Sequence, residues 1–591
     1  MIGLSQLNKK GKIMEINKYA PLFEDLGLSE SDQRLIAPFF TNLDKSVYGV
    51  SLLPPEVVGA LCSRTSRAKD DLRLALLNEY IKPFLSIDET EISEKMKSQG
   101  KTDEEVRQEL ERLSKYSKNL SALINFLHEH PTDEIFNNPK AREFYIKWLA
   151  QFGDDSIAQM AGTHLVYTGI SQLAIKQIED MRLGIAPIEK STRYVDYSSK
   201  VNGGYRYYTD PTLESMGLFE KYKYAMDNLF VTYTDLLAEY KAFLKNKYPT
   251  EEDRVINTKA FDTVRLILPV STLSQLALFA NGQSFEYMIN RGLDHQLGEV
   301  RWSSQEAFNE LSKVIPSFLW RLESESSKTY RNYLSQRSNN VQSAMDAVGL
   351  ERKVSYAKKE SVELLEFDPE GEDKIIAGLI YGETHESFSD LLGKVKSMST
   401  DQKKKILHEV LKDRKAKYYK VPRAFENIYL RFEISMNIGA WRDVHRHRIQ
   451  TQMRQRFCID NGFDVPEGLV EAGLDSRYVD AILKSEEVFR EIEKYDKEMA
   501  QYCCTLGHRV RFMQYQNMRA FFWEVELRTT PQGHPDYRRI EQEKAKQIQR
   551  IYPLIGEYLM VDMYDYDFAR RGDTAKIRAK EEQLKEKFSK G

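Results

Sequence analysis

The chain reads as a mixed α/β (α+β) protein, helix-rich overall, made of two tandem units that are each a twisted sheet packed with helices. Three observations predict this. A short β-prone run, a Pro-containing turn and a small, apolar helix start occur at VSLLPPEVVGALCSRTS near residue 50. The same order returns at VELLEFDPEGEDKIIAGLIYGET near residue 362. Each is followed by a charge-rich helical spacer, residues 88–130 and 388–418, whose Lys/Glu alternation is that of a solvated helix face. A further pair of similar blocks lies at 264–302 and 504–540. Blocks in one order, repeated with a period near half the chain, mark an internal duplication.

The elements then fall in sequence. Residues 1–44 are an N-terminal extension, 45–315 a first unit, 316–357 a polar helical connector and 358–591 a second unit. Within the second unit, Ile428 to Ile434 alternates apolar and polar residues, the period of a half-buried strand.

Composition excludes several classes. Of the 591 residues, 41% are hydrophobic and 11% aromatic, enough for sizeable cores and too much for a disordered chain. Charged residues, 30% of the chain, cancel to a formal net charge of -3, so any anion site is local and bulk charge does not hold the chain to nucleic acid. The four cysteines, Cys62, Cys458, Cys503 and Cys504, form no CxxC pair, which fits a reducing compartment. Met1 to Ala20 has no continuous apolar run, and nothing approaches the ~18 apolar residues of a membrane span. A soluble, cytoplasmic protein is expected.

Two arginine-centred clusters stand in similar contexts: Glu189-Lys190-Ser191-Thr192-Arg193-Tyr194 in the first half and Arg446-His447-Arg448 in the second. Downstream come Arg265, before Leu268-Pro269, and Arg291 in the first half, with Asn517-x-Arg519 and Leu527-Arg528 in the second. Pairing Arg291 with Arg528 brings Phe285 and Phe522 into line without a gap.

These motifs resemble the flavin-dependent thymidylate synthases of the ThyX type, over most of residues 50–310 and 360–560. The second half matches Arg446-His447-Arg448, Asn517-x-Arg519 and Leu527-Arg528. The first half matches Gln177, Glu189, Ser191, Arg193, Tyr194, Arg265 and Arg291. Neither half has the full set. Asp180-Met181-Arg182 stands where the first Arg-His-Arg belongs, and Arg454-Gln455-Arg456-Phe457 where the second Glu-x-Ser-x-Arg-Tyr belongs. Ala280-x-Gly282 replaces Asn-x-Arg, and the position of Arg265 falls near Cys503.

The resemblance implies reductive methylation of dUMP to dTMP, with FAD as cofactor and NADPH and methylenetetrahydrofolate as co-substrates. It places dUMP on Gln177, Glu189, Ser191, Arg193, Tyr194 and Arg265, and FAD on Arg446, His447, Arg448, Asn517 and Arg519. Arg291 or Arg528 would polarise the uracil ring. The chemistry suits these residue types. A phosphate with nearly two charges takes forked guanidinium donors, and charge developing at flavin N1/O2 takes Arg or His donors. The family builds each site from several subunits of a homotetramer, so a homodimer of this chain would imitate that assembly. Complementary losses fit one composite site per pair of halves, and equally an inactive scaffold that binds nucleotide weakly or not at all. A nucleic-acid contact through Arg446–Arg456 is a third reading, disfavoured by the absence of a basic stripe.

Each motif also has an ordinary reading. Three basic residues in a row are commonly solvated surface, and Ser191-x-Arg193 is a common turn or helix cap. Arg265 could close a buried ion pair, and Arg291 and Arg528 follow apolar segments where arginines snorkel. His445 and His447, at i and i+2, face apart, so no metal is expected. Cys503-Cys504 and Phe521-Phe522-Trp523 read as packed core, and Glu383, His385 and Glu386 as an exposed loop.

Overall fold

The computed structural model describes residues 15–130, 155–180, 184–350 and 359–569, with scattered positions in 140–147 and 579–583. Residues 1–14 of the expected extension, Met181 and Arg182, 351–357 of the expected connector and 358 of the expected second unit lie outside the described residues.

In chain order the principal elements are β1 (Val47–Val50), α1 (Pro55–Thr65), α2 (Glu89–Ser98), α3 (Asp103–Glu129), β2 (Gly162–Ser171), α4 (Gln172–Glu179), β3 (Ile185–Glu189), α5 (Phe219–Lys247), α6 (Asp253–Val264), β4 (Leu273–Asn281), α7 (Gly282–Gly292), α8 (Gly298–Leu311) and α9 (Glu325–Ala347). They continue with β5 (Ser361–Glu366), α10 (Gly371–Tyr381), α11 (Phe388–Lys396), α12 (Thr400–Leu411), β6 (Tyr429–Asn437), α13 (Ile438–Val444), β7 (Thr451–Arg454), α14 (Asp475–Glu493), β8 (Arg509–Asn517), α15 (Met518–Arg528) and α16 (Pro535–Ile551). Both strand–turn–helix starts are present, both spacers are helical, and the alternating run near 430 is β6.

The strands form two four-stranded sheets of one topology, β1-β2-β4-β3 and β5-β6-β8-β7, antiparallel throughout. The mixed α/β class and its duplication are therefore direct properties of the fold. The residues cluster into two spatial units, 1–219 with 271–351, and 220–270 with 352–591. Boundaries at 45–315 and 358–591 remain a proposal about duplication. The spatial units differ from them because α5 and α6, which lie between β3 and β4 in the chain, belong to the second unit.

One local device recurs four times: the last residue of a strand caps the next helix. Ser171, Asn281, Asn437 and Asn517 each accept a hydrogen bond from the backbone N–H three residues on, at 2.8–3.0 Å. Two caps reach further. Ser171 donates its N–H and hydroxyl to Glu299 near the start of α8, at 2.6 and 2.5 Å. Asn437 Nδ2 donates to Asp536 near the start of α16, at 2.8 Å. Strand, capped helix and a later helix are thereby tied at corresponding points in each unit. β2 carries one extra residue relative to β6, at the bulge of Gly169, whose φ of +69° is open to glycine.

In the first unit both sheet faces are covered. Leu165, Tyr167, Leu276, Leu278 and Ala280 pack with Phe285, Met288 and Ala307 of α7 and α8. Tyr48, Val50, Val166 and Ala277, one step along the pleat, pack with Leu61 of α1 and Ile124 of α3. In the second unit β8 buries Val510, Phe512, Gln514 and Gln516, alternating with half-exposed neighbours.

Candidate functional site

In the second unit the chain leaves β6 at Asn437, runs through α13 and surfaces where that helix ends. Ile438, Ala440, Trp441 and Val444 are buried, so the residues that follow are delivered to a fixed place. His445 is buried against Trp441, ring centroids 4.6 Å apart, and Arg446 and Arg448 are exposed. His447 is held twice. Its carbonyl accepts from Gln450 Nε2 at 2.8 Å, and its ring Nε2 accepts from Arg528 Nε at 2.8 Å. A guanidinium can only donate, so the neutral His447 ring carries its proton on Nδ1. Arg528 ends α15, where its charge complements the helix C-terminus, and lies over Tyr537 at 5.5 Å from the ring centroid.

Behind this pair runs a row of buried polar side chains. Gln450 Oε1 accepts from Gln514 Nε2, which also donates to both oxygens of Glu524 at 2.9 Å. Glu524 lies 3.4 Å from the Lys544 ammonium, and Glu541 lies 3.0 Å from it; all three side chains are fully buried. One ammonium faces two carboxylates, so they separate in character. Burial pushes Glu524 up, but the charge of Lys544 and the amide of Gln514 hold it below the usual carboxylate value. Burial pushes Glu541 up to about 7, against the pull of Lys544 and reinforced by the charge of Glu524. A proton exchangeable near neutral pH is thus kept behind a tautomer-fixed imidazole and a guanidinium, a set able to stabilise negative charge.

Sequence reasoning missed Gln514, Glu524, Glu541 and Lys544. The available signal was charge at helix positions that should face a core: Glu541 and Lys544 stand at i and i+3 with Ile540 and Ala545 on the buried side of α16.

The helix caps also set the register between the halves. With Asn281 matched to Asn517, Phe285 matches Phe521, Met288 matches Glu524, and Gly292 matches Arg528. The pairing of Arg291 with Arg528 and Phe285 with Phe522 is therefore out by one residue, because adjacent phenylalanines make apolar spacing degenerate. The asparagine expected to be replaced at Ala280 is retained at Asn281. Strand pairing places Leu278 and Ala280 where the second unit has Gln514 and Gln516. Matching Glu299 with Asp536 places Ser304 and Ala307 where it has Glu541 and Lys544.

The remaining expected site residues are distributed as follows. Asn517 caps α15 through its side-chain oxygen. Arg519 donates to Val421 O at 2.9 Å and pairs with Glu426 at 2.9 Å. Arg265, buried at the end of α6, reaches the carbonyl of Gly439 at 3.4 Å and belongs to the second unit. In the first unit Gln177 lies half-buried on α4, and Glu189, closing β3, is buried in an ion pair with Lys176, which also holds Glu179 at 2.5 Å. Ser191 opens a turn: its oxygen accepts from Arg193 N at 3.2 Å, and its N–H is pinned to Ser66 O at 2.8 Å. Arg193 is buried, and the Tyr194 ring lies 5.8 Å from the Arg67 guanidinium. Arg291 folds back along its own helix onto Tyr287, 3.2 Å from the hydroxyl. Cys503, Cys504, Phe521 and Phe522 are core, as read, whereas Trp523 is 37% exposed. Glu383, His385 and Glu386 are exposed.

Comparison with known proteins adds ancestry to this geometry. The family model described as thymidylate synthase complementing protein (Thy1) matches residues 96–317 and 363–554. A UPF0159 protein of Chlamydia muridarum is 31% identical over 561 residues, 93% of this chain and 98% of that protein. One from Chlamydia pneumoniae is 31% identical over 555 residues, 91% and 96% of the two chains. One from Thermoplasma acidophilum is 28% identical over 470 residues, 73% of this chain and 91% of that protein. Among solved structures, a UMP/dUMP methylase PolB from Streptomyces cacaoi bound with 5-Br UMP aligns at 14% identity and TM-score 0.27, over 35% of this chain and 99% of that one. The same enzyme bound with 5-Br dUMP aligns at 14% identity and TM-score 0.29, over 34% and 96%. No described helix is long and apolar enough to cross a membrane.

Proposed function

Because the chain belongs to the thymidylate synthase complementing protein family, we propose that it is a flavin-dependent, pyrimidine-nucleotide-methylating enzyme that converts dUMP to dTMP. Methylenetetrahydrofolate and NADPH are its co-substrates in this reading. The observation that carries it is the contact between Arg528 and His447, backed by the buried Glu524–Lys544–Glu541 set.

The donor set fits a flavin. Arg528 and the Nδ1–H of His447 are donors suited to charge developing on the N1/O2 edge of a ring, and Arg446 and Arg448 add positive charge beside them. Asn517 keeps its Nδ2 donors while its oxygen caps α15, so it can serve helix and ligand together. FAD would supply the hydride chemistry when bound. Arg528 is favoured over Arg291 for polarising the uracil, since its guanidinium is aimed at His447 whereas that of Arg291 lies on Tyr287. The nucleotide phosphate is assigned to Ser191 and Arg193 in the turn after β3, with Gln177, Glu189 and Tyr194 as further ligands. An isologous homodimer is the expected assembly.

The test is spectroscopic. Purified protein should bind FAD and show a flavin spectrum that shifts on adding dUMP, and Arg528→Ala should lose the shift while keeping its fold by circular dichroism. A colourless protein that FAD does not reconstitute overturns the proposal in favour of an inactive scaffold.

A further inference from the structure

A cavity lies wholly in the first unit, about 250 Å³ in volume, at the end of the sheet where β3 and β4 meet the loop 197–207. Lys190, Arg206, Gln275, Tyr197, Ser274 and Lys69 are among its walls. Its polar groups are not matched to one another. Lys190 is only 8% exposed, and its ammonium donates to the carbonyls of Lys69 and Asp70, at 2.9 and 3.3 Å. An ammonium has three N–H donors, and no carboxylate pairs with this one among the described residues. The Arg206 side chain makes no hydrogen bond or ion pair among the described residues, and its Nε is buried. Gln275, 4% exposed, donates to Thr65 Oγ1 at 3.1 Å, and its oxygen has no partner. The nearest carboxylate, Asp71, is already engaged by Arg73 at 3.0 and 3.1 Å and by the Tyr48 hydroxyl at 3.2 Å. Glu24, Asp25 and Asp70 are exposed on the rim.

Two cations with no salt-bridge partner among the described residues, beside a buried acceptor lacking a donor, describe the complement of a ligand. Uncompensated buried charge is costly, and an incoming anion removes that cost. Burial pushes the Lys190 ammonium down to about 8, with Asp71 opposing and Arg206 reinforcing the shift, so it is largely charged at neutral pH. The Gln275 oxygen asks for a hydroxyl donor. At about 30 Å³ per water the cavity holds roughly eight waters, room for a phosphate and a small hydroxylated body but not for a dinucleotide.

We propose that this cavity binds a small hydroxylated phosphomonoester of about the size of a pentose phosphate, with Lys190 and Arg206 on the phosphate and Gln275 on a hydroxyl. The site goes beyond the thymidylate reading, in which Lys190 and Arg206 have no role.

Titration calorimetry of the full-length protein tests it, with ribose 5-phosphate as the probe and inorganic phosphate, ribose, malonate and chloride at matched ionic strength as comparisons. Ribose 5-phosphate should bind, and Arg206→Gln and Lys190→Met should each weaken it by about tenfold or more, the loss of a charge-assisted contact. Gln275→Leu should weaken ribose 5-phosphate while leaving inorganic phosphate unchanged. Arg193→Ala should leave ribose 5-phosphate binding intact, and saturating ribose 5-phosphate should not remove a dUMP-dependent flavin shift. If Lys190→Met fails to fold, Arg206→Gln, altering a half-exposed side chain, decides alone. Parental affinity in Arg206→Gln overturns the proposal, as does binding no tighter than chloride, and binding of malonate as tight as phosphate overturns the phosphomonoester assignment.

Discussion

The two units place different chemistry on the same scaffold. In the first, Leu278, Ala280, Met288 and Ala307 fill the space between β4 and the helices α7 and α8 with hydrocarbon. In the second, the same positions hold Gln514, Gln516, Glu524 and Lys544, all buried, with Glu524 hydrogen-bonded to Gln514 and paired with Lys544. A buried Leu or Met contributes about 1.5–3 kcal/mol, and exchanging a buried ion set for well-packed apolar residues gains up to about 4 kcal/mol. The second unit thus forgoes stabilisation that its twin obtains with one backbone register. Such a sacrifice is ordinary where a protein does chemistry, which supports the proposed centre beside His447 and Arg528.

The largest test of this contrast is Lys544→Met. It leaves Glu524 and Glu541 buried together and should cost about 3–5 kcal/mol, read from urea unfolding at neutral pH. A loss under about 1 kcal/mol would mean that the lysine does not hold the carboxylates. Replacing the whole set by its first-unit counterparts (Gln514→Leu, Gln516→Ala, Glu524→Met, Glu541→Ser and Lys544→Ala) should recover most of that stability. The proposed dUMP-dependent flavin shift should still be lost, separating chemistry from folding.

Next in size is a pH effect. Glu541 has a raised value in the folded protein, so the native state holds its proton more tightly than the unfolded chain does. Its contribution is complete below the ordinary carboxylate range, falls as pH rises through about 7, and is absent above. Glu541→Gln should therefore stabilise the protein at pH 8 by up to about 3 kcal/mol and leave it unchanged near pH 4, measured by thermal unfolding across that range. Equal gains at both ends would show that Glu541 does not titrate in this window. The smallest stability effects belong to the two exposed-end arginines. Arg528→Ala and Arg291→Ala should each change stability by less than about 1 kcal/mol, since partly exposed contacts of this kind are weak. Only Arg528→Ala should alter the flavin signal, and an equal loss with Arg291→Ala would erase the distinction between the units.

How far the sequence carries can be judged residue by residue. Alternation in Ile428 to Ile434 located β6, and the matched blocks exposed the duplication, because both depend on periodicities that burial enforces. The one-residue slip at α15 arose where periodicity is ambiguous. Phe521 and Phe522 are both buried, and only the cap at Asn517 decides between them. Arg446-His447-Arg448 drew notice as a local string. Its supporting residues escaped because Gln514, Glu524 and Lys544 come together only through sheet pairing and helix packing. Asn517 and Arg519 show the converse: a motif does not reveal that its asparagine ends a strand or that its guanidinium already meets Glu426.

The placement of residues 220–270 in the second unit bears on synthesis. α5 carries an aromatic face of Tyr222, Met226, Phe230, Tyr233, Leu237 and Tyr240. That face emerges from the ribosome before residues 271–351 finish the first unit, and well before the chain from 352 onward exists to receive it. At roughly 5–20 residues per second the wait is on the order of ten seconds. A nascent chain stalled in that interval presents a sticky amphipathic rod, so translation speed and chaperone supply, more than thermodynamic stability, should set the yield of correctly assembled protein.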